Sequence, residues 1–370
     1  MNMRKIAWIT PTAYLDTDIY IVEQLAKHYN IDWYIINRKN DKLDYFDTVE
    51  RLSNAVNLQI VSIGVRHRDF ETLRQYWRLG GMIKSRNYDA VYSSVANFPY
   101  FIPVLALRVP RKNVILAVHN VSKVQGGVHP ILHSIYNKLA FSLFHHFHTF
   151  SESQHKAALE IAPRKDIRKV SFIPKNYGTA QTKRTDNSIT FLNFGLIRRY
   201  KRLDVLILAA EKAYANTGIP FKVIIAGNCD DWSFYSALIK NDFLFDIRLG
   251  HVQNSDIPNL FELSDYFVMP YQSIAQSGAM MVAVNYEKPI IASRLEAFEE
   301  CITTGENGIL IEPANVDALA NAFTYVLTNH ADIYPHLKKN MCTVKNDKYS
   351  ISSITKNYCD FIDSIILRNK

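Results

Sequence analysis

The chain lacks any apolar run approaching the roughly 20 residues a bilayer span requires, so no membrane-crossing helix is expected. Its opening residues are a short charged start running into Ile6-Ala7-Trp8-Ile9, without the apolar region and small-residue cleavage site of a secretory signal. Cysteine is scarce: Cys229, Cys301, Cys342 and Cys359 stand far apart with no paired spacing. That pattern argues against a disulfide framework or a cysteine zinc site and points to a reduced, cytoplasmic chain. The segment Pro11–Asp18, after the first apolar run, has no glycine-rich dinucleotide fingerprint, which argues against a Rossmann dehydrogenase. No nucleic-acid fold signature is apparent either, so nucleic acid is not an expected partner.

What is present is globular: 370 residues, 48% hydrophobic and 21% charged, too long for one ordinary core, so two domains are expected. The net charge of +8 is unevenly spread. Residues 1–172 hold 23 Lys and Arg against 14 Asp and Glu, while residues 173–370 hold 20 against 21. A basic half beside a neutral half implies that one half meets something anionic, with a membrane face and a phosphorylated acceptor as the candidates.

In the first half, Ile6–Thr10 reads as a buried strand, Ile19–Tyr29 as a helix and Ile31–Ile36 as a second strand, a βαβ opening. Asp16 and Asp18 fall in the loop between, as partners for substrate hydroxyls or, for at least one of them, as a helix cap. Arg66–Arg86 reads as a helix in which arginines and lysines alternate with Phe70, Tyr76 and Trp77, a composition suited to an anionic surface. Val114–Val118 is a strand ending at His119-Asn120, where a histidine either faces the ligand crevice or caps the strand as a packed residue. His145, His146 and His148 read as packing or surface residues, because alternation along Phe144–Phe150 splits them between faces. Gly178–Ser188, polar and threonine-rich, reads as an interdomain linker.

The second half repeats the parallel pattern, with strands at Ile189–Phe194, Phe221–Ala226, Phe243–Leu249, Tyr266–Met269, Pro289–Ala292 and Gly308–Ile311. Two anion-type sites stand out. In Phe194–Asp204, Gly195 leaves a strand, and Arg198, Arg199 and Lys201 gather where the next helix begins. In Tyr271–Ala279, Gln276, Ser277, Gly278 and Ala279 open a helix and present backbone amides. A diphosphate fits between that helix end and Arg198 with Lys201. Gly227 and Gly250 close strands where a nucleotide could approach the backbone.

These residues carry a likeness. The chain resembles the retaining glycosyltransferases of family four, the group 1 enzymes with the GT-B fold. Phe194-Gly-Leu-Ile-Arg-Arg-Tyr-Lys resembles that family's donor-phosphate loop. Leu249-Gly-His-Val and Ser264-Asp-Tyr-Phe-Val-Met-Pro-Tyr match its nucleotide-side strands. Gln276-Ser277-Gly278, Lys288-Pro-Ile-Ile-Ala-Ser and Gly305-Glu-Asn-Gly-Ile-Leu-Ile-Glu-Pro complete the pattern, and Val118-His119-Asn120 resembles the acceptor-side histidine strand.

The resemblance implies an α/β protein of two Rossmann-like parallel-sheet domains facing a central cleft. It places an acceptor domain at 1–175, a donor domain at 188–345, and a helix at 346–370 returning to the first domain. It implies hexosyl transfer from a nucleoside diphosphate sugar to a hydroxyl of a glycan or lipid-linked oligosaccharide, in cell-surface polysaccharide synthesis and with retained configuration. Arg198, Lys201 and His119 are then catalytic. Gly195, Gly227, His251, Val252, Gln276, Ser277, Gly278, Ala279 and Glu300 bind the donor, and Asp16 and Asn120 lie on the acceptor side. No metal or other cofactor is expected, because cations and a helix end supply the positive charge. The expected location is cytoplasmic and peripheral on the inner face of the cell membrane. One departure is clear: counting back from Lys288-Pro289, the family's two glutamates fall at Ile274 and Val282. A non-catalytic nucleotide-sugar-binding or scaffold protein of the same fold is the alternative that this departure leaves open.

Overall fold

Short apolar runs rich in Ile, Val and Phe become the inner parallel strands, covered on both faces, which is why they read as continuous rather than alternating; the strands at the sheet edges are only partly buried. The computed structural model describes residues 3–39, 52, 54–66, 68–96, 98–121 and 130–368. These divide into two units, one formed by the described residues up to Ile173 together with Ile351 onward, the other by Pro174–Ser350.

The first unit holds β1 (Lys5–Pro11), β2 (Asn30–Arg38), β3 (Asn57–Ile63), β4 (Ala90–Ser93), β5 (Val114–Ala117), β6 (His146–Thr149) and β7 (Asp166–Lys169). They pair in parallel in the order β3-β2-β1-β4-β5-β6-β7, so the order reverses between β1 and β4. Helices α1 (Leu15–Leu25), α2 (Phe70–Arg86), α3 (Phe101–Arg108), α4 (Pro130–Leu143) and α5 (Glu152–Ile161) connect them.

Helix α1 begins earlier than the spacing from Ile19 suggests, because Leu15 extends the same buried stripe through Ile19 and Val22. Asp16 and Asp18 therefore lie in the first helical turn rather than in a loop, and neither caps it: Tyr14 occupies the cap position. Asp18 is buried instead, accepting hydrogen bonds from Thr10 Oγ1 at 2.6 Å, from Trp8 Nε1 at 3.1 Å and from Ser94 Oγ. The histidines divide as alternation suggests: His146 and His148 share one buried side of β6, while His145, just before the strand, is exposed. His148 packs at zero exposure, its Nδ1 2.6 Å from the Tyr92 hydroxyl and its Nε2 2.9 Å from the Val170 carbonyl.

The second unit holds β8 (Thr190–Phe194), β9 (Lys222–Gly227), β10 (Phe245–Leu249), β11 (Tyr266–Met269), β12 (Ile290–Ser293) and β13 (Gly308–Ile311). Their order is β10-β9-β8-β11-β12-β13, all parallel, reversing between β8 and β11. Its helices are α6 (Leu203–Thr217), α7 (Ser233–Ser236), α8 (Ile257–Glu262), α9 (Gly278–Asn285), α10 (Glu296–Glu299) and α11 (Val316–Asp347). The stretch read as a linker, Gly178–Ser188, is fastened to this unit. Asn259 Oδ1 accepts from the amides of Gln181 and Thr182, and Arg184 Nη1 binds Asp265 Oδ1 at 2.7 Å. Its polar residues are those of a strap making side-chain hydrogen bonds, a composition that a free linker shares. The expected strand at Phe243 starts two residues later, because Asp242–Leu244 forms a 3₁₀ turn that buries Leu244.

The last helix, α12 (Ile351–Arg368), belongs to the first unit. Tyr358 packs beside Trp8 and Tyr92, Asp363 pairs with Arg4 at 2.6 Å, and Arg168 Nη2 donates to Ser364 Oγ at 3.0 Å.

Candidate functional site

In open parallel sheets, ligands gather beyond the carboxyl ends of the strands where the strand order reverses. In the second unit that place is the β8/β11 boundary, and the chain has shaped it with glycine. Strands β8, β9 and β10 are followed or closed by Gly195 (φ +108°), Gly227 (φ +153°) and Gly250 (φ +116°), conformations that L side chains rarely adopt. The three lie side by side, with Gly195 N–H donating to the Ala226 carbonyl at 2.9 Å and Gly250 N–H to the Gly227 carbonyl at 3.1 Å. A Cβ on residue 227 would stand 2.2 Å from the Gly195 carbonyl oxygen, so the close approach of the two turns requires glycine there.

The basic turn follows Gly195. Residues Arg199–Lys201 form a 3₁₀ turn, and Arg202 (φ +53°) enters α6 with its guanidinium on Asp204. The turn is tied to the loop after β11: Gln272 N–H donates to the Tyr200 carbonyl at 2.8 Å. Lys201 Nζ lies 5.4 Å from the centre of the Tyr271 ring and 3.5 Å from where a Gly195 Cβ would be. That amine makes no hydrogen bond or ion pair among the described residues. Burial, and then the nearby Arg198 charge, lower its pKa from 10.5 to about 8. Arg198, by contrast, is paired with Asp230, and Arg199 lies 3.7 Å from the Phe234 ring centre and 3.7 Å from Asp231.

Helix α9 opens from the same loop. Ser277 is its N-cap, its Oγ accepting from the Met280 amide at 3.2 Å. A residue missed in the sequence reaches this helix end. Lys175 is 3% exposed, and a Cβ on Gly278 would meet its Nζ at 2.9 Å. Its amide also donates to the Met281 carbonyl at 3.2 Å. No pattern marked Lys175, a single cation just after Ile173-Pro174. Asp230-Asp231 did carry a signal, two acids facing two arginines across β8 and β9, and it went unread.

Thus the structure brings Gly195, Gly227, Lys201 and the loop carrying Gln276, Ser277, Gly278 and Ala279 to one edge of one sheet. His251 and Val252 follow Gly250 on that edge, His251 exposed and Val252 half-buried. Glu300 lies farther along, after β12 at the end of α10, where its carbonyl accepts from Lys348 Nζ. Val282 is 2% exposed inside α9, and Ile274 is half-buried.

His119, Asn120 and Asp16 belong to the first unit. His119 is stacked between Tyr14, at 3.7 Å between ring centres, and Phe150, at 4.5 Å. Burial, then the neighbouring His148, lower its pKa to about 3, so its ring is neutral at physiological pH. The Asn120 carbonyl accepts from Asn137 Nδ2 at 2.7 Å, and Asp16 sits half-buried in the first turn of α1. Burial raises the pKa of the neighbouring Asp18 to about 6 against the opposing pull of its three hydrogen bonds.

Residues 179–342 match the family model described as Glycosyl transferases group 1. No curated protein matches the chain by sequence. Solved structures share the fold at low identity. A glycosyltransferase from Rickettsia africae is 15% identical with a TM-score of 0.78, covering 100% of both chains. Sucrose-phosphate synthase from Thermosynechococcus elongatus is 15% identical with a TM-score of 0.76, over 99% of this chain and 100% of that one. HepE from Anabaena, in complex with UDP and glucose, is 14% identical with a TM-score of 0.72, over 98% and 100%. The chain has the two parallel-sheet Rossmann-like domains of the GT-B fold, and within the second of them residues 179–342 are similar to the glycosyl transferases group 1.

Proposed function

We propose that the protein transfers a hexose from a nucleoside diphosphate sugar to a hydroxyl of a glycan or lipid-linked saccharide, with retention of configuration. The observation that carries this reading is Lys201: a cation with no carboxylate partner among the described residues, beside two glycine turns, where the strand order reverses. A donor diphosphate there would take its charge complement from Lys201, from Arg198 and from the α9 amides at Ser277, Gly278 and Ala279. As the glycosidic bond breaks, negative charge grows on the leaving phosphate, so fixed cations stabilise the transition state more than the bound donor. Gly195 and Gly227 leave the backbone open to the phosphates, and His251 and Val252 flank the nucleoside. Glu300 is the proposed partner of a sugar or ribose hydroxyl, since Ile274 and Val282 offer none. The acceptor is assigned to the first unit, with Asp16, Asn120 and a neutral His119, which hydrogen-bonds or packs but carries no charge. Because protein cations neutralise the leaving group, the proposed reaction needs no metal, and chelator is expected to leave turnover unchanged. Cell-surface polysaccharide synthesis at the inner face of a membrane is the proposed setting.

A thermal-shift screen against UDP, GDP and their sugars tests the first step. A ligand at about 100 times its Kd stabilises by about 2.7 kcal/mol, a rise of several degrees. No shift with any nucleotide, together with no transfer or hydrolysis of any donor, would refute the proposal. The loss of both family glutamates favours one second reading, a nucleotide-sugar-binding protein without turnover; tight calorimetric binding with no product on a broad acceptor panel would establish it.

Lys175 supplies a separate prediction. Lys175→Met keeps the length of the buried side chain but removes its charge from the mouth of α9. Calorimetry is expected to show nucleoside diphosphate binding weakened about tenfold, the loss of one charge-assisted contact, with the nucleoside alone unaffected. Equal weakening of both ligands would assign Lys175 to packing only.

A further inference from the structure

The arginine-rich helix expected from the sequence divides its aromatics between two faces. Tyr76 is 1% exposed and packs edge-on against Phe101 in the core, so it is not part of the surface. Phe70 and Trp77 turn outward at 80% and 47% exposure, on the same stripe as exposed Arg74 and Arg78. The next helix, α3, packs alongside and adds Leu107 at 70% exposure.

Arg108 joins the two helices. Two glycines, Gly80 and Gly81, sit in the interior of α2, where each weakens a helix relative to alanine. A Cβ on residue 80 would meet Arg108 Cβ at 2.8 Å, and one on residue 81 would meet an Arg108 guanidinium nitrogen at 2.7 Å. The missing side chains let Arg108 lie across α2 with its guanidinium 4.5 Å from the centre of the Trp77 ring. Arg108 Nε is buried without a hydrogen-bond partner, and neither Arg78 nor Arg108 has an ion pair among the described residues. The nearby acids are already engaged: Glu71 accepts from Gln75 at 2.6 Å, Asp69 from the Arg66 amide at 2.8 Å, and Asp32 pairs with Arg86 at 2.8 Å.

We propose that this α2–α3 face, formed by Phe70, Arg74, Trp77, Arg78, Leu107 and Arg108, docks on an anionic lipid bilayer. The proposal rests on the reading of a membrane-side acceptor and names the surface that would deliver the enzyme to it. Charge and shape favour a bilayer as the occupant. Arg78 and Arg108 lack ion-pair partners among the described residues, and Arg74 has only a 4.0 Å contact with Glu71, which suits phosphate headgroups. Trp77 beneath a guanidinium is an interfacial pair, with an apolar body and a polar tip. Phe70 and Leu107 project apolar groups that gain by entering the acyl boundary and gain nothing from a soluble polyanion. The face lies on the basic half of the chain, and no helix among the described residues is long and apolar enough to cross a membrane.

The test is co-sedimentation of the full chain with phosphatidylcholine vesicles, with and without phosphatidylglycerol. Binding is expected only to the anionic vesicles and is expected to weaken as salt rises. Arg78→Glu with Arg108→Glu should lower partitioning about tenfold or more, and Phe70→Ser with Leu107→Ser should lower it by a similar factor. Tryptophan emission should shift to the blue on binding and lose that shift in Trp77→Phe, because Trp8 and Trp33 are already fully buried and Trp232 lies in the other unit, off the proposed face. The Phe70→Ser, Leu107→Ser variant changes only exposed side chains and should keep the wild-type melting temperature, and both double variants should keep the nucleotide-induced shift, because the donor site lies in the other unit. Vesicle binding unchanged in both double variants would overturn the proposal. So would binding to heparin as tight as to anionic vesicles, with no loss in Phe70→Ser, Leu107→Ser. Vesicle binding that follows these variants in a protein inactive on every donor would support the docking face while sinking the transferase reading.

Discussion

Lys201→Ala is expected to lower kcat for donor turnover by about a hundred- to a thousandfold, the usual cost of losing one preorganised charge partner of a transition state. The amine is placed for this by three constraints: the Gly195 turn, the Tyr271 ring and the Gln272–Tyr200 hydrogen bond that ties its loop to the next. Because burial holds its pKa near 8 in the free protein, the effect carries a pH signature. Below pH 8 the amine is charged and ready for a diphosphate. Above pH 8 it is increasingly neutral, while a bound diphosphate favours the ammonium, so binding must take up a proton. Affinity for nucleoside diphosphate is therefore expected to fall as pH rises above about 8, by up to about tenfold per pH unit, and to level off once the pKa of the bound state is passed. Lys201→Arg, always charged, should remove that slope. Calorimetry in buffers of different ionisation enthalpy would count the proton directly. An affinity independent of pH from about one unit below to about one unit above the shifted pKa of about 8 would dissociate Lys201 from the phosphate.

Gly227→Ala is expected to destabilise the protein by about 2–5 kcal/mol, read as a fall in the urea midpoint. Two costs combine. The backbone there has φ +153°, and the new methyl would stand 2.2 Å from the Gly195 carbonyl oxygen, a backbone atom that cannot move without unseating β8 from β9. Gly195→Ala is the informative partner. It shares the positive φ, but its Cβ would approach only Lys201 Nζ, at 3.5 Å. It should cost less stability than Gly227→Ala and proportionally more nucleotide affinity. Equal urea midpoints for wild type and Gly227→Ala would mean that the two turns are not held in contact.

Much of the candidate site was legible because it is local. Glycine after an apolar run, then cations, then a helix, is a contiguous pattern, and Phe194–Asp204 folds as strand, turn and helix in that order. The same holds for Ser277-Gly278 at the start of α9. What escaped was non-local or concealed by composition. Lys175 reaches Gly278 across about a hundred residues, Asp230 reaches Arg198 across 32, and a polar strap at 178–188 has the composition of a linker. Asp18 escaped for another reason: carboxylates are seldom buried, and only the meeting of α1, β1 and the Ser94 loop provides the three donors that hold it there.

The sequence alone determined two parallel α/β layers, the strand–turn–helix that carries Arg198 and Lys201, and a basic first half, since each follows from short-range periodicity or from counting charges. Tertiary structure decided which side chains meet. The parallel order β9-β8-β11 sets Gly227 against Gly195 and lays Tyr271 beside Lys201. The packing of α3 on α2 turns Arg108 onto Trp77 while Tyr76, one residue earlier, faces the core. Those pairings depend on strand order and helix contact, which join residues far apart in the chain, and no local pattern of residues encodes them.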